Sequence, residues 1–398
     1  MDKQKKRLMW TILIVAFVQM PSLALTPGIN QMRTNAFSNY SLGMVQTALA
    51  FASLTQPVAA FLSAFLVNRG LVTKKSVIIF GLCLLAVTGV TAILLHTAFW
   101  HLILLSIFLG ASTGCFVSNM FGLIFDYFEP SERQFLTGYQ SSVINAGGIT
   151  MGLVGGLLAT FMWYGGYLVL LIGLPAMVLV CLTVPNHRNP VARSEGKKAK
   201  GRLNPRIFYY CAIAFLFMMT YTACGSNLST HIASIGNSAT SGVAVAFQMG
   251  GGVVSGIFFD KLSRKAGDYS LSIGLGAMFI GYMILSLFSK SLVLTFVAVF
   301  VAGLSLSIML PHCIYVVSTL VDDSTSSSTA TALISIAAPS MGSFMSPIII
   351  TNVTTALFGE STVARYRFIG FFVLVLAILL AVLTTLDKRK SVSLTGTE

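Results

Sequence analysis

The side chains of this chain that could do chemistry inside an apolar setting are few, and none of them is a carboxylate. His312, directly after Pro311, is the one ionisable group expected at depth. An imidazole titrates near ~6.5, so His312 could carry a proton, bind an anionic group, or hydrogen-bond across helices to a carbonyl freed by the proline. Around it stand the neutral groups Gln19, Asn119, Asn145, Tyr221, Asn227 and Gln248. Amides and phenols removed from water need partners, which either a polar cavity or inter-helix bonding would supply. These seven residues are the candidate lining of a substrate cavity.

Other chemistries lack their constellations. The five histidines, His96, His101, His187, His231 and His312, are too scattered for a catalytic or metal-binding set. The six cysteines fall in apolar stretches without paired metal-ligand spacing and read as small hydrophobes. A phosphate loop of the G-x-x-x-x-G-K-[ST] type is missing, and so is a ring of like charges that would select ions in a channel. The expectation is a protein with no catalytic residue, no metal and no cofactor.

The elements that hold the polar groups follow from composition. Of 398 residues, 9% are charged and 55% hydrophobic, against about a quarter charged in soluble domains. Mean hydropathy is +0.84. A helix crossing a ~30 Å hydrocarbon core needs roughly 20 apolar residues. Apolar runs of that size are expected near residues 8–26, 42–67, 76–95, 102–125, 135–161 and 167–184, then 207–228, 242–259, 270–288, 292–317, 328–357 and 368–386. The fold class is therefore an all-α membrane protein with twelve transmembrane helices in two six-helix, pseudo-symmetric halves, 1–184 and 207–398, joined by a basic linker at 185–206. A shift of 193 residues lays Gly110 on Gly303, Asn119 on His312 and Glu129 on Asp322, as an internal duplication would.

A net charge of +13 would suggest nucleic acid in a soluble protein, but here it reports topology. With a cytoplasmic N-terminus, 21 of the 25 basic residues fall in cytoplasmic segments; only Arg33, Lys290, Arg365 and Arg367 lie outside. The positive-inside rule then places both termini in the cytoplasm of a multi-pass protein of the bacterial inner membrane. The start, KKRLMW before an apolar run, is read as an uncleaved first helix.

After the eighth run comes Gly256-Ile-Phe-Phe-Asp260-Lys261-Leu-Ser-Arg264-Lys265. This resembles the G-x-x-x-D-[RK]-x-x-[RK]-[RK] loop of the major facilitator superfamily. A degenerate copy, Asn68-Arg69-Gly70 with Lys74 and Lys75, follows the second run with asparagine in the aspartate's place. Asn68 is expected to cap a helix there. Asp126, Glu129, Glu132 and Arg133 close the fourth run, and Asp322 and Asp323 occupy the matching place in the second half. The resemblance implies that these groups form a cytoplasmic gate.

In the fifth run, Gly148, Gly152, Gly155 and Gly156 resemble the glycine-rich motif of the superfamily's exporters, although Leu153 replaces its proline. Ser106 stands where many members carry an arginine associated with proton coupling. The resemblance implies a monomeric secondary transporter working by alternating access between its halves, with a small organic substrate and the bilayer as its partners. An acid-free cavity favours efflux of neutral or anionic amphiphilic metabolites or drugs. The alternative is organic-anion uptake by proton symport through His312, with the proton as coupling ion. Arg33, beyond the Pro27-Gly28 break, is either a solvated residue or a lure for anions in an outer vestibule. A membrane-embedded enzyme or a channel is the remote reading.

Overall fold

The structure, a computed structural model, describes residues 3–185, 204–267, 269–320, 330 and 332–395. The basic connection 186–203 and the pair Asp322 and Asp323 lie outside the described residues, as do the side chains of Arg133 and Asp260. Every regular element among the described residues is helical. We label the spans α1 (Lys3–Phe17), α2 (Leu42–Asn68), α3 (Lys74–Leu94), α4 (Phe99–Tyr127), α5 (Pro130–Phe161), α6 (Gly165–Thr183), α7 (Pro205–Ile232), α8 (Ser238–Ala266), α9 (Tyr269–Leu287), α10 (Leu292–Thr319), α11 (Leu333–Phe358) and α12 (Thr362–Thr395). Eleven of these are long and apolar enough to cross a membrane; α1 makes twelve when joined to Pro21–Ala36, from which it is bent by 41°.

Local chemistry sets where the helices begin and end. The side chains of Ser41, Thr73 and Ser291 accept from the backbone N–H groups of Met44, Ser76 and Leu294, capping α2, α3 and α10. The cap of α3 is thus Thr73, and Asn68 instead ends α2. That end is closed by Gly70 at φ +70°, where the N–H groups of Gly70 and Leu71 return to the carbonyls of Val67 and Leu66. Glu129 and Glu132 form a capping box at the start of α5.

Two compact units emerge: Met1–Lys200 with Leu228–Ala246, and Gly201–Asn227 with Phe247–Glu398. In the first, α4 lies between α2 and α3, while α1 packs on α5 and α6. Within it, a methyl group at Gly110 of α4 would collide with Ala52 and Thr55 of α2, and one at Gly81 of α3 would press on Cys115 and Phe116 of α4. In the second unit a methyl group at Gly303 of α10 would strike Gln248 of α8, and one at Gly274 of α9 would press on Ile308 and Met309 of α10. Apart from Ala52, these residues pair at the same shift of 193: Gly110 and Thr55 map onto Gly303 and Gln248, and Gly81, Cys115 and Phe116 onto Gly274, Ile308 and Met309. The internal repeat is therefore written in helix contacts as well as in sequence. Small residues recur at these crossings because, in lipid, helices associate by close backbone packing.

Candidate functional site

Four of the seven expected cavity residues, Tyr221, Asn227, Gln248 and His312, lie in the second unit. Tyr221 on α7 and Gln248 on α8 are both buried, and the Tyr221 hydroxyl lies beside the Gln248 amide without closing a hydrogen bond. The Gln248 amide oxygen also faces Gly225, one turn along α7. Two of the expected cavity residues are thus brought together, with a phenol hydroxyl left to donate or accept.

Asn227 has a different role. It is fully buried, and its Oδ1 accepts from Arg365 Nη1 at 2.6 Å while its Nδ2 donates to the Ala223 carbonyl at 2.8 Å. Arg365 also donates from Nε to Thr354 Oγ1 (2.9 Å) and from Nη2 to Thr355 Oγ1 (2.8 Å). It is 0% exposed, on the first turns of α12. This corrects two expectations: Arg365 is not an outer loop residue, and His312 is not the one ionisable group at depth. His231 and His101 are buried as well. The apolar run begins at Phe368, but the helix begins at Thr362, so its opening turns carry Arg365 inward. All three of its hydrogen bonds go to neutral oxygens, so the cationic charge stays unneutralised by direct contact. The threonine acceptors lie three and four residues beyond a π-helical turn at Pro347–Thr351 in α11, a distortion often found at functional sites.

His312 is buried within Leu306–Thr319, the second helical part of α10 after a break at Ser305. Neighbouring tyrosines tie α7 in place: Tyr282 donates to the Thr220 carbonyl, and Tyr366 to the Cys224 carbonyl at 3.2 Å.

In the first unit Asn119 is spent on packing. It is buried, donating to Ser63 Oγ of α2 at 3.1 Å and to the Cys115 carbonyl at 2.8 Å. Gln19 sits in the break after α1, its Nε2 buried and without a hydrogen-bond partner. Asn145 is half-buried on α5. Arg33 is half-buried in a π-helical turn, Met32–Ala36. Sequence reasoning missed Gln140 on α5, which is buried with neither amide atom hydrogen-bonded. A lone glutamine in a segment read as an ordinary cytoplasmic helix end gave no signal of this.

The ionic groups expected to form a gate are partly assembled. Lys74 pairs with Asp126 at 2.7 Å and donates to the Gly122 carbonyl at 3.3 Å, joining α3 to the end of α4. Lys75 donates to the Cys181 carbonyl of α6. Lys5 pairs with Glu132 at 3.1 Å, and the Glu129 backbone N–H and Lys5 together hold the Glu132 carboxyl below its ordinary range. Arg69 lies 4.3 Å from the Phe65 ring centre rather than on a carboxylate. Gly256, Lys261, Arg264 and Lys265 continue α8 to its end.

The glycines of α5 serve two partners. Gly147 and Gly155 lie against the backbone of Phe17 and Ala24, where a methyl group would clash, while Gly152 and Gly156 lie against Val245 and Gly242 at the start of α8. Gly148 is buried. Beside them Ser229 Oγ donates to the Pro27 carbonyl at 2.7 Å and accepts from the Asn30 N–H at 3.2 Å.

Among the described residues, an all-helical bundle of eleven membrane-crossing helices, twelve with the bent first pair, repeated after 193 residues and carrying buried amides, a phenol and a cation, defines the class of polytopic solute transporters. Residues 7–347 match the Major Facilitator Superfamily, and the chain belongs to that family. Its fold is similar to three solved transporters. Nucleoside transporter NupG gives a TM-score of 0.74 at 13% identity, covering 96% of this chain and 99% of that one. A bacterial homolog to the human lysosomal transporter Spinster gives 0.70 at 16% identity, covering 98% of each chain. The POT family transporter PepTSo gives 0.76 at 11%, covering 98% and 99%. A search of curated protein sequences finds no match. The chain is a transporter of small molecules and not an enzyme.

Proposed function

We propose that this chain exports neutral or anionic amphiphilic organic molecules by alternating access, from a bacterial inner membrane in which both of its ends face the cytoplasm. The observation that carries this reading is the charge of the span interiors. Arg365 is buried on neutral acceptors, and among the described residues the acids of α4, α5, α8 and α12 all lie at the helix ends, outside the apolar stretches 99–124, 142–161, 238–259 and 362–386 that can cross a membrane. A permanent cation entering such surroundings would meet the like charge of Arg365, with the carboxylate that acts on it, Glu360, standing ahead of α12 and outside the spans, whereas an anion or a neutral amphiphile would be tolerated. Tyr221 and Gln248 supply polar contacts for such a cargo. The glycine faces of α5 support a helix that slides during the cycle.

A second reading is favoured by His312, buried after Pro311 in α10: uptake of an organic anion together with a proton carried by that imidazole. Membrane vesicles of opposite sidedness separate the two. Accumulation of an anionic amphiphile in everted vesicles, with none in right-side-out vesicles, is the expected result. Accumulation confined to right-side-out vesicles under an inward proton gradient would replace export by uptake.

A further inference from the structure

A groove of about 840 Å³ runs along the first unit between α1, α5 and α6. Its walls are apolar, with Leu13, Phe17, Val143, Ile172 and Ala176 among them. Its flank carries Trp10, 62% exposed, and Tyr139, 55% exposed. The Tyr139 hydroxyl and the Trp10 indole N–H are the polar side-chain groups along it, so little inside could orient a polar solute. On α1 the lining runs from Met9 to Val18, roughly 14 Å of helix axis at ~1.5 Å per residue, or about half of a ~30 Å hydrocarbon core. That is the depth of one leaflet. Where α1 leaves the groove, the chain presents Lys3, Lys6 and Arg7, all exposed, while the neighbouring Lys5 is taken by Glu132.

We propose that this groove binds an acyl chain of an anionic phospholipid, whose headgroup sits on Lys3, Lys6 and Arg7. An apolar trough one leaflet deep matches an alkyl chain, and the free cations at its end match a phosphate-bearing headgroup of net negative charge. Trp10 and Tyr139 flank it as amphipathic rings do near headgroups. A bound chain would lie along the α1–α5 pair, next to the close approach of Gly147 to the Phe17 backbone. The proposal does not depend on the direction or cargo of transport.

Trp10 reports on the site directly. With Trp100 and Trp163 replaced by phenylalanine, Trp10 is the remaining tryptophan of the full chain, and its fluorescence is measured in phosphatidylcholine vesicles. A small fraction of the lipid is brominated on its acyl chains and carries either a phosphatidylglycerol or a phosphatidylcholine headgroup. Each juxtamembrane cation favours an anionic headgroup by about fivefold, so brominated phosphatidylglycerol is expected to quench several-fold more strongly at equal mole fraction. That preference should vanish in Lys3→Ala/Lys6→Ala/Arg7→Ala and weaken when Ala176→Phe narrows the groove. Equal quenching by the two lipids, or a preference that survives the triple alanine variant, would overturn the proposal. The triple variant changes only exposed residues, so a folding failure of Ala176→Phe leaves the test intact.

Discussion

Arg365 draws its three acceptors from two other helices, α7 and α11, and its worth lies in what happens when one is removed. Asn227→Ala leaves a buried guanidinium short of an acceptor, which costs about 1–3 kcal/mol; a lowered thermal unfolding temperature in detergent is the expected result. In a double-mutant cycle with Arg365→Met, the combined loss should fall clearly below the sum of the two, and strict additivity would show that the pair is not coupled. Glu132 makes a second test. Its folded pKa is depressed, so the stability it adds is present above the ordinary carboxylate value of ~4.3 and is lost as pH falls through the lower folded value. Glu132→Gln should therefore destabilise mildly at pH 7, and the difference from wild type should shrink as pH falls below the ordinary carboxylate range. Neither residue's setting is legible in one dimension. Arg365 lies in the polar gap between two hydrophobic runs and counts as an outer basic residue there; the helix that begins six residues before Phe368 and buries it is a tertiary outcome. Asn227, by contrast, was legible as a polar residue at depth, and only its partner was missing.

Among the elements, the repeated glycine contacts give a matched pair of substitutions. Gly110→Ala and Gly303→Ala each press a methyl group into the neighbouring helix backbone and should each cost about 1–3 kcal/mol. Gly276→Ala meets nothing within 4 Å and should be neutral or stabilising by about 0.4–1 kcal/mol. Unfolding midpoints that rank Gly276→Ala with the other two would contradict the packing account. The spans themselves were legible because hydropathy alone sets where a helix can cross lipid. The helix irregularities were not: the break after α1, the π turns of Met32–Ala36 and Pro347–Thr351 and the division of α10 at Ser305 leave hydropathy unchanged. The cap of α3 fell to Thr73 rather than Asn68 because Gly70 closes α2 first and turns the chain before the next helix can start. Asn119 and His312, paired by the repeat, diverged in use. Asn119 became a bond between α2 and α4, because Ser63 stands within reach of it.

For the whole molecule, membership of the Major Facilitator Superfamily rests on the match over residues 7–347 and on a fold shared with solved transporters. The proposed cargo rests on the sign of the buried charge, and the proposed direction on the glycine faces of α5. If His312 carries a coupling proton, His312→Gln removes accumulation driven by a pH gradient while leaving exchange between equal pools intact; driven accumulation at the wild-type rate would assign the imidazole to packing. The most direct test of the central claim is counterflow in proteoliposomes loaded with unlabelled compound, run over a panel of neutral, anionic and permanently cationic amphiphiles. The account predicts saturable, transient overshoot for an anionic or neutral member and none for the permanent cations. Overshoot confined to permanent cations would contradict it.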